Sequence, residues 1–194
     1  MKIYLLRHEI RDLQNPTFYS PLLPEGLKNA QKLKEILKKN DINIIYSSPF
    51  KRVLQTIEPF CKEYNKTKKI KVNIEYSLYE QIGTHTNADI NFKRNNFRKE
   101  LKNIDFGYDL INKRYKSFLS LDKIKFTFDT QERATNFFNY IIKKYNKTDY
   151  NILIASHEGI LLQMLGLYGV VKIPMGGLIL CYDDGFIGYN PINF

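Results

Sequence analysis

Two short apolar segments, each leading to a histidine, place the strongest constraint on how this chain folds. Residues 2–6 are rich in Ile, Tyr and Leu and lead directly into Arg7 and His8. Residues 151–155 are also rich in Ile and Leu, and His157 follows them after a single serine. Apolar runs of this length are typical of buried strands, and in open α/β sheets the strand ends line the binding crevice. We therefore expect both histidines to lie at one edge of a sheet.

The remainder of the chain alternates between helix-like and strand-like patterns. Amphipathic helices are predicted over residues 24–39, about 47–64, 130–142 and 157–168. Further strands are predicted over residues 42–46, 70–74 and 150–155, with a closing hairpin formed by residues 178–182 and 186–189. Such alternation predicts an α/β fold with a mainly parallel central sheet, helices on both faces and an antiparallel edge.

Residues 84 to about 129 interrupt this alternation. Charged and aromatic residues interleave there, and no linker-like composition flanks the segment. A chain of 194 residues fits one domain. We therefore interpret the segment as a helical cap inserted into a single domain that spans residues 1–194.

Composition narrows the classes of function. The net charge of +10 suits an anionic partner. However, the chain is rich in Lys, Asn, Ile and Tyr, the residue types that AT-rich coding sequence favours. Much of the positive charge therefore reflects composition rather than function. No apolar stretch is long enough to cross a bilayer, and the N-terminal run is too short for a signal sequence. Cys61 and Cys181 form no disulfide framework, and no two histidines have metal-ligand spacing. We expect a cytoplasmic protein with reduced thiols, no metal, and no nucleic-acid or membrane partner.

Five short motifs follow one another along the chain. They are Leu6-Arg7-His8, Pro24-Glu25-Gly26 with Asn29-Ala30, Ser47-Ser48-Pro49-Phe50-Lys51-Arg52 with Gln55-Thr56, Leu78-Tyr79-Glu80, and Ser156-His157-Glu158-Gly159. In this order they resemble the successive motifs of the histidine phosphatase superfamily, which has the phosphoglycerate-mutase-like fold. The resemblance covers most of the chain.

The resemblance implies phosphoryl transfer through a phosphohistidine, without a cofactor. His8 is implied as the nucleophile, which attacks phosphorus in line. Arg7, Arg52 and a protonated His157 are implied as the cations that gather the charge of a phosphate dianion. The leaving alkoxide needs a proton from a carboxylic acid that its surroundings keep un-ionised, and Glu80 is implied in that role.

Other carboxylates bear on these assignments. Glu75 lies five residues before Glu80 and is an alternative general acid. Glu9 and Glu158 each follow one of the two histidines, and the family usually has Gly or Ala in the place of Glu9. If they face the pocket, they raise the pKa of each imidazole and repel an incoming dianion. The alternatives are that they point outward or bind a basic part of the substrate.

The substrate is expected to be a small phosphorylated molecule or a phosphoprotein. Asn15, Arg94 and Arg98 are candidate substrate contacts, and Lys113 and Arg114 lie in the same basic cap. The short chain and modest cap favour a phosphatase over a phosphoglycerate-type mutase. A catalytically silent phosphate-binding protein of the same fold is a further alternative, and so is a module that binds nucleic acid through the cap, although no nucleic-acid motif is present.

Overall fold

A six-stranded mixed sheet forms the centre of the computed structural model, which describes residues 1–13, 18–80, 108–120 and 130–192. The strands are β1 (Lys2–Arg7), β2 (Ile44–Ser47), β3 (Val72–Ile74), β4 (Asn151–Ser156), β5 (Leu178–Asp183) and β6 (Phe186–Ile192), in the order β3-β2-β4-β1-β5-β6. The α-helices are α1 (Pro24–Lys39), α2 (Lys51–Tyr64), α3 (Thr130–Tyr145) and α4 (Glu158–Leu165). Short 3₁₀ turns cover Tyr76–Leu78 and Tyr108–Leu110.

The sheet is parallel in its larger part and antiparallel at one edge. Strands β3, β2, β4 and β1 pair in parallel, whereas β5 runs antiparallel to β1 and to β6. The turn between β5 and β6 is Asp184-Gly185, and both residues have positive φ, as a tight hairpin turn with the right-handed strand twist requires. The predicted α/β fold with an antiparallel edge is confirmed.

Helices cover both faces of the sheet because its inner strands are apolar on both sides. In β1 the side chains of Tyr4 and Leu6 pack into the core layer that contains α1 and α2. Ile3 and Leu5 alternate with them and pack into the layer that contains α3 and α4. This double burial is the reason that the strands appear in the sequence as continuous apolar runs.

The first helix starts at the predicted residue. Pro24 occupies the first turn of α1, where its missing N–H costs nothing. Two residues on, a Cβ atom on Gly26 would come within 2.4 Å of the carbonyl oxygen of Ile10. Glycine at this position therefore lets α1 pack directly against the backbone of the segment that follows β1.

Three predicted helix boundaries are wrong by a few residues. Helix α3 continues to Tyr145 rather than ending at Ile142. Helix α2 begins at Lys51 rather than at Ser47, because Ser47 completes β2. Helix α4 ends at Leu165 rather than at Tyr168, because Gly166 adopts a left-handed conformation with φ of 67° and caps it. The segment from Gly166 to the start of β5 is therefore a loop, and it forms part of the site described below.

Most of the predicted cap, residues 84–107 and 121–129, lies outside the described residues. The part that the structure describes, residues 108–120, contains a 3₁₀ turn and then extends the sheet edge, with a parallel bridge from Ile111 to Val72. Leu110 and Ile111 are buried in the main core, so this part belongs to the body of the domain.

The two cysteines are buried free thiols on opposite faces of the sheet. Cys61 packs in the layer of α1 and α2, and Cys181 in the layer of α3 and α4. Within the ranges that the structure describes, no helix combines the length and the apolar character needed to cross a bilayer.

Candidate active site

The carboxyl ends of β1 and β4 bring two histidines into one buried cluster. These parallel neighbours end in register, with Arg7 paired to Ser156, so His8 and His157 leave the sheet side by side. Their ring centroids are 5.3 Å apart, and the two residues are only 2% and 1% exposed. The structure thus brings together the two histidines that the sequence places after strand ends.

A hydrogen bond fixes the tautomer of His8. Its Nδ1 lies 2.8 Å from the carbonyl oxygen of Glu9, and because a carbonyl only accepts, Nδ1 carries the proton. Burial, together with the nearby His157 and Arg52, lowers the pKa of His8 well below its ordinary value. The ring is therefore neutral at physiological pH, and its Nε2 carries the lone pair that a nucleophile needs.

His157 contacts Ser48 on one side and Glu80 on the other. Its Nε2 lies 2.9 Å from the hydroxyl oxygen of Ser48, and its Nδ1 lies 2.9 Å from Oε2 of Glu80. Burial lowers the pKa of His157 to about 4, against the opposing effect of Glu80. His157 is thus neutral at pH 7 in the pocket without substrate, and the protonated imidazole expected from the sequence remains a prediction for the complex with a phosphate dianion. Loss of hydration outweighs the attraction of a carboxylate that Arg52 already neutralises.

Arg52, in the first turn of α2, forms a buried ion pair with Glu80. Nη2 of Arg52 lies 2.6 Å from Oε2 of Glu80, and their side chains are 1% and 24% exposed. Burial by itself raises the pKa of Glu80, but His157 and Arg52 outweigh it, so the net pKa lies well below the ordinary value. Glu80 is therefore ionised here. In the pocket without substrate the neighbours of this carboxylate are cationic or hydrogen-bond donors rather than apolar, and the un-ionised acid expected from the sequence remains a prediction for the substrate complex.

Arg7 and Glu158 form a second ion pair, which is tied to the loop after α4. Nη1 of Arg7 lies 3.0 Å from Oε2 of Glu158 and donates a 2.5 Å hydrogen bond to the carbonyl oxygen of Ile173. The other oxygen of Glu158, Oε1, accepts a hydrogen bond from the Ile173 N–H at 3.0 Å. Glu158 therefore lines the pocket, and its charge is compensated by Arg7.

The carboxylate of Glu9 does not line the cavity that contains Arg7 and His8. It is 5% exposed, and its Oε2 accepts from the Ile10 N–H and from the side-chain amide of Asn29 on α1. A Cβ atom on Gly176, which has φ of 74°, would lie 2.0 Å from Oε1 of Glu9. Glu9 thus fills a space between α1 and the loop before β5, which removes the reason to regard it as an obstacle to a dianion.

Glu75, the alternative general acid, is an anchor for the chain rather than a pocket residue. Its buried carboxylate accepts hydrogen bonds from the N–H of Ser77 and from Tyr115, Ser117 and the N–H of Phe118. It is 0% exposed and does not line the cavity. All of its acceptor capacity is used within the fold, so of the two carboxylates considered as general acid only Glu80 lines the cavity.

Sequence reasoning missed the residue that holds Glu80 in place. Arg133 on α3 is 5% exposed, and its guanidinium donates to the carbonyl oxygens of Ser77, Tyr79 and Glu80 at 2.7, 2.8 and 3.4 Å. The signal that could have identified it is a charged residue among the apolar positions of an amphipathic helix, since an arginine at such a position needs buried partners.

Ser48 and Thr56 position the site through hydrogen bonds that no local pattern reveals. Ser48 contacts His157 as described above. The hydroxyl of Thr56 accepts from the Glu9 N–H at 2.9 Å and donates to the carbonyl oxygen of Arg52 at 2.8 Å. Thr56 therefore links the segment after His8 to the first turn of α2.

A cavity of about 560 Å³ opens over this cluster. Two of its cationic lining residues were not predicted as site residues, Arg11 and Lys172. Among the residues that the structure describes, the lining consists of Arg7, His8, Arg11, Glu80, Glu158, Gly159, Leu162 and residues 168–172. Lys113 and Arg114 do not line this cavity, and the candidate contacts Asn15, Arg94 and Arg98 lie outside the described residues.

The donor set fits an anion better than a resident metal ion. One ligand atom each from His8, Glu80 and His157 lie within 4.8 Å of one another, which is a spacing that a cation can use. However, the Glu80 oxygen is already paired with the Arg52 guanidinium, and Arg7 and Arg11 line the same space. Among the described residues, two guanidinium groups line the cavity and that of Arg52 pairs with the Glu80 carboxylate of its lining, which disfavours a divalent cation and favours phosphate.

Comparison with known proteins agrees with this geometry. The family model described as the histidine phosphatase superfamily (branch 1) matches residues 3–174. No curated protein matches the sequence significantly.

Solved structures with the same fold are numerous. An ecdysone phosphate phosphatase from Bombix mori, in complex with tungstate, has a TM-score of 0.72 and 17% identity, over 99% of this chain and 92% of that one. The α-ribazole phosphatase from Shigella flexneri has a TM-score of 0.63 and 20% identity, over 100% and 96%. A mycobacterial glucosyl-3-phosphoglycerate phosphatase has a TM-score of 0.60 and 14% identity, over 98% and 96%. At these identities the similarity concerns the fold.

Proposed function

Because this chain belongs to branch 1 of the histidine phosphatase superfamily, we propose that it is a metal-independent phosphomonoesterase that acts through a phosphohistidine on His8. The observation that carries the proposal is the state of His8, a buried neutral imidazole whose Nδ1–H is held by the Glu9 carbonyl oxygen. Its Nε2 can therefore attack without first losing a proton. The phosphatases among the structural neighbours support the same class of reaction.

In the first half of the proposed reaction, the phosphoryl group moves from the substrate to His8. Arg7 and Arg52 bind the equatorial oxygens of the ester and neutralise the charge that spreads over them in the transition state. Nε2 of His8 attacks phosphorus as the bond to the leaving oxygen breaks. The leaving oxygen must gain a proton as it departs.

Glu80 is the proposed donor of that proton, although it is ionised before substrate binds. A phosphate dianion that binds Arg52 competes with Glu80 for the guanidinium and places a negative charge beside the carboxylate. Both effects raise the pKa of Glu80, so proton uptake accompanies substrate binding. The same dianion raises the pKa of His157, which then can donate to a phosphate oxygen.

In the second half, water releases the phosphoryl group. Glu80, ionised after protonating the leaving alcohol, takes a proton from water as the water oxygen attacks phosphorus. The bond between phosphorus and Nε2 breaks, orthophosphate leaves, and His8 returns to its neutral Nδ1–H tautomer. The water proton stays on Glu80 until the product departs.

The test is a comparison of the parent protein with His8→Ala. The parent is expected to hydrolyse p-nitrophenyl phosphate in the presence of a chelator and to carry an acid-labile phosphoryl group after rapid quenching. His8→Ala is expected to lose both, because the substitution removes the imidazole that we propose as the nucleophile. It should still bind orthophosphate through Arg7 and Arg52, which confirms that the variant is folded. Turnover by His8→Ala at the parent's rate would show that the nucleophile has been misassigned.

A further inference from the structure

One side of the cavity is apolar and is built by the loop after α4. Tyr168, Val170 and Val171 belong to this loop, and Leu162 on α4 is part of the same lining. Tyr168 and Val170 are 52% and 73% exposed. Single exposed apolar residues are common, but here two of them stand in one cavity with the phosphate-binding cluster.

The loop is fixed to the phosphate pocket by several hydrogen bonds. Glu158 and Arg7 both bind the backbone of Ile173, as described above. The carbonyl oxygen of Lys172 accepts from the hydroxyl of Tyr189 on β6 at 2.9 Å. Within the loop, the N–H of Val170 donates to the carbonyl oxygen of Leu167 at 3.0 Å. The apolar wall therefore stands at a set distance from the arginine that binds phosphate.

Charged and apolar side chains share the described part of the cavity lining. Arg7, His8 and Glu80 belong to the phosphate cluster, Glu158 is paired with Arg7, and Arg11 and Lys172 are the other charged residues of that lining. Leu162, Val170 and Val171, together with the ring of Tyr168, present apolar surface in the same cavity. A polyhydroxylated leaving group against those aliphatic side chains would lose hydration without gaining hydrogen bonds from them.

We propose that Leu162 and the loop of residues 168–172 form a leaving-group subsite that accepts phosphate monoesters of apolar ring alcohols in preference to sugar phosphates. This inference rests on the proposed function, because it assigns the remainder of the ester to the space beside the phosphate pocket. A cavity of about 560 Å³ holds a phosphoryl group together with a ring system of one or two rings, which is within the usual range of small-molecule sites.

The test compares cyclohexylmethyl phosphate with glucose 6-phosphate. Both are primary alkyl esters attached to a six-membered ring, so they differ chiefly in the polarity of the ring. Dissociation constants are measured by calorimetry on His8→Ala, which cannot turn the esters over, and kcat/KM is measured on the parent. Cyclohexylmethyl phosphate is expected to bind at least about tenfold more tightly, a discrimination typical of a methylene-sized difference in an apolar pocket.

Two double variants test whether the loop causes the preference for cyclohexylmethyl phosphate. Tyr168→Ser combined with Val170→Ser, on the His8→Ala background, is expected to bring the ratio of the two dissociation constants close to one. Phe186→Ser combined with Ile187→Ser removes a comparable exposed apolar pair at the β5–β6 turn, outside the cavity, and is expected to leave the ratio unchanged.

The outcomes separate this inference from the proposed function. Equal binding of the two esters, or tighter binding of glucose 6-phosphate, overturns the apolar subsite even if the parent hydrolyses both. A preference that survives the loop substitutions also overturns it. A loop-dependent preference with no turnover by the parent would support the subsite and reject the phosphatase activity.

Discussion

The Glu80 carboxylate makes the contacts that an anionic ligand of this pocket would make. One oxygen, Oε2, lies 2.6 Å from Arg52 and 2.9 Å from His157. A phosphate that binds Arg52 must therefore compete with this carboxylate. The same side chain that we propose as the proton donor consequently opposes substrate binding in its ionised form.

This competition predicts opposite effects of Glu80→Gln on binding and turnover. Orthophosphate is expected to bind roughly tenfold more tightly, because a charge-assisted hydrogen bond worth about 1.5 kcal/mol no longer has to be broken. The kcat for a phosphate ester of an alkyl alcohol is expected to fall by about 10²–10⁴-fold, since glutamine cannot donate the proton. Calorimetry with orthophosphate and steady-state kinetics measure the two effects.

Glu63→Gln is the matched control for that substitution. Glu63 pairs with Lys66 on the surface of α2. Its replacement by glutamine removes the same negative charge as Glu80→Gln, but far from the pocket. It should leave both phosphate affinity and kcat unchanged. If Glu80→Gln weakened phosphate binding, the carboxylate would be a supporting group of the anion site and not its competitor.

The sequence predicted which residues form the pocket, whereas their charge states depend on the folded environment. Arg7, His8, Arg52, Glu80 and His157 were all identified from short motifs, and the structure places them around one cavity or in contact with its lining. In the pocket without substrate, the pKa values of Glu80 and His157 both lie below their ordinary values. These shifts depend on burial and on the distance to Arg52, and neither quantity is encoded in a motif.

At the scale of elements, α3 supports the active site from behind. The Arg133 guanidinium binds three carbonyl oxygens of residues 77–80, and the hydroxyl of Ser156 donates to the carbonyl oxygen of Leu78 at 2.8 Å. These bonds fix the backbone immediately before and at Glu80. We therefore treat Arg133 as a positioning residue.

Arg133→Met is expected to lower both stability and turnover. Leaving buried carbonyl oxygens unsatisfied costs about 1–3 kcal/mol of unfolding free energy, and the looser Glu80 should lower kcat. Orthophosphate affinity is expected to change little, because Arg7 and Arg52 are held by other contacts. Urea unfolding, kcat and phosphate calorimetry measure the three quantities.

Lys143→Met, in the exposed last turn of the same helix, controls for removal of a positive charge from α3. It should alter none of the three quantities. A loss of stability in Arg133→Met with an unchanged kcat would mean that the arginine serves the fold alone.

Elements whose signals are local were predicted well, and those that depend on distant partners were not. Pro24 marks the start of α1 and Asp184-Gly185 marks the hairpin turn, and both act within a few residues. The glycine that ends α4 at Leu165 was equally local but was overlooked. By contrast, the contacts of Arg133 with residues 77–80, and of Glu158 with Ile173, join segments 15 to 56 residues apart. No period or cap in the sequence reveals such pairs.

At the scale of the whole molecule, burying two neutral imidazoles makes the stability of the fold depend on pH. The pKa of His157 is lowered to about 4 and that of His8 is also lowered, whereas in the unfolded chain both are near 6.5. The unfolded chain therefore binds more protons as the pH falls below about 6.5, which favours unfolding. The full stability of the fold with its two neutral imidazoles is therefore present above about pH 6.5. It is lost as the pH falls toward the pKa values that the two histidines have in the folded protein.

We therefore expect the free energy of unfolding, measured with urea, to decrease from about pH 7 to about pH 5 by at least roughly 1 kcal/mol. The lowered pKa of Glu80 contributes mainly below about pH 4.5, outside this window. The raised pKa of buried Glu9 makes the unfolding free energy increase as the pH falls, which opposes the effect of the histidines. This contribution is the same in the parent and in the histidine variant, so it does not affect their comparison. Acetate and MES buffers avoid occupying the pocket with phosphate.

His157→Gln isolates the contribution of one imidazole, because glutamine can keep a hydrogen bond to Ser48 but cannot take up a proton. The variant is expected to lose stability at pH 7, where the neutral histidine is well accommodated, and to show a shallower decrease toward pH 5. The slope of the unfolding free energy against pH differs between parent and variant by the number of protons that His157 binds in the unfolded chain but not in the folded protein. Parallel pH profiles would mean that His157 titrates normally, which is incompatible with its burial against Glu80 and with the neutral pocket on which the nucleophilic role of His8 depends.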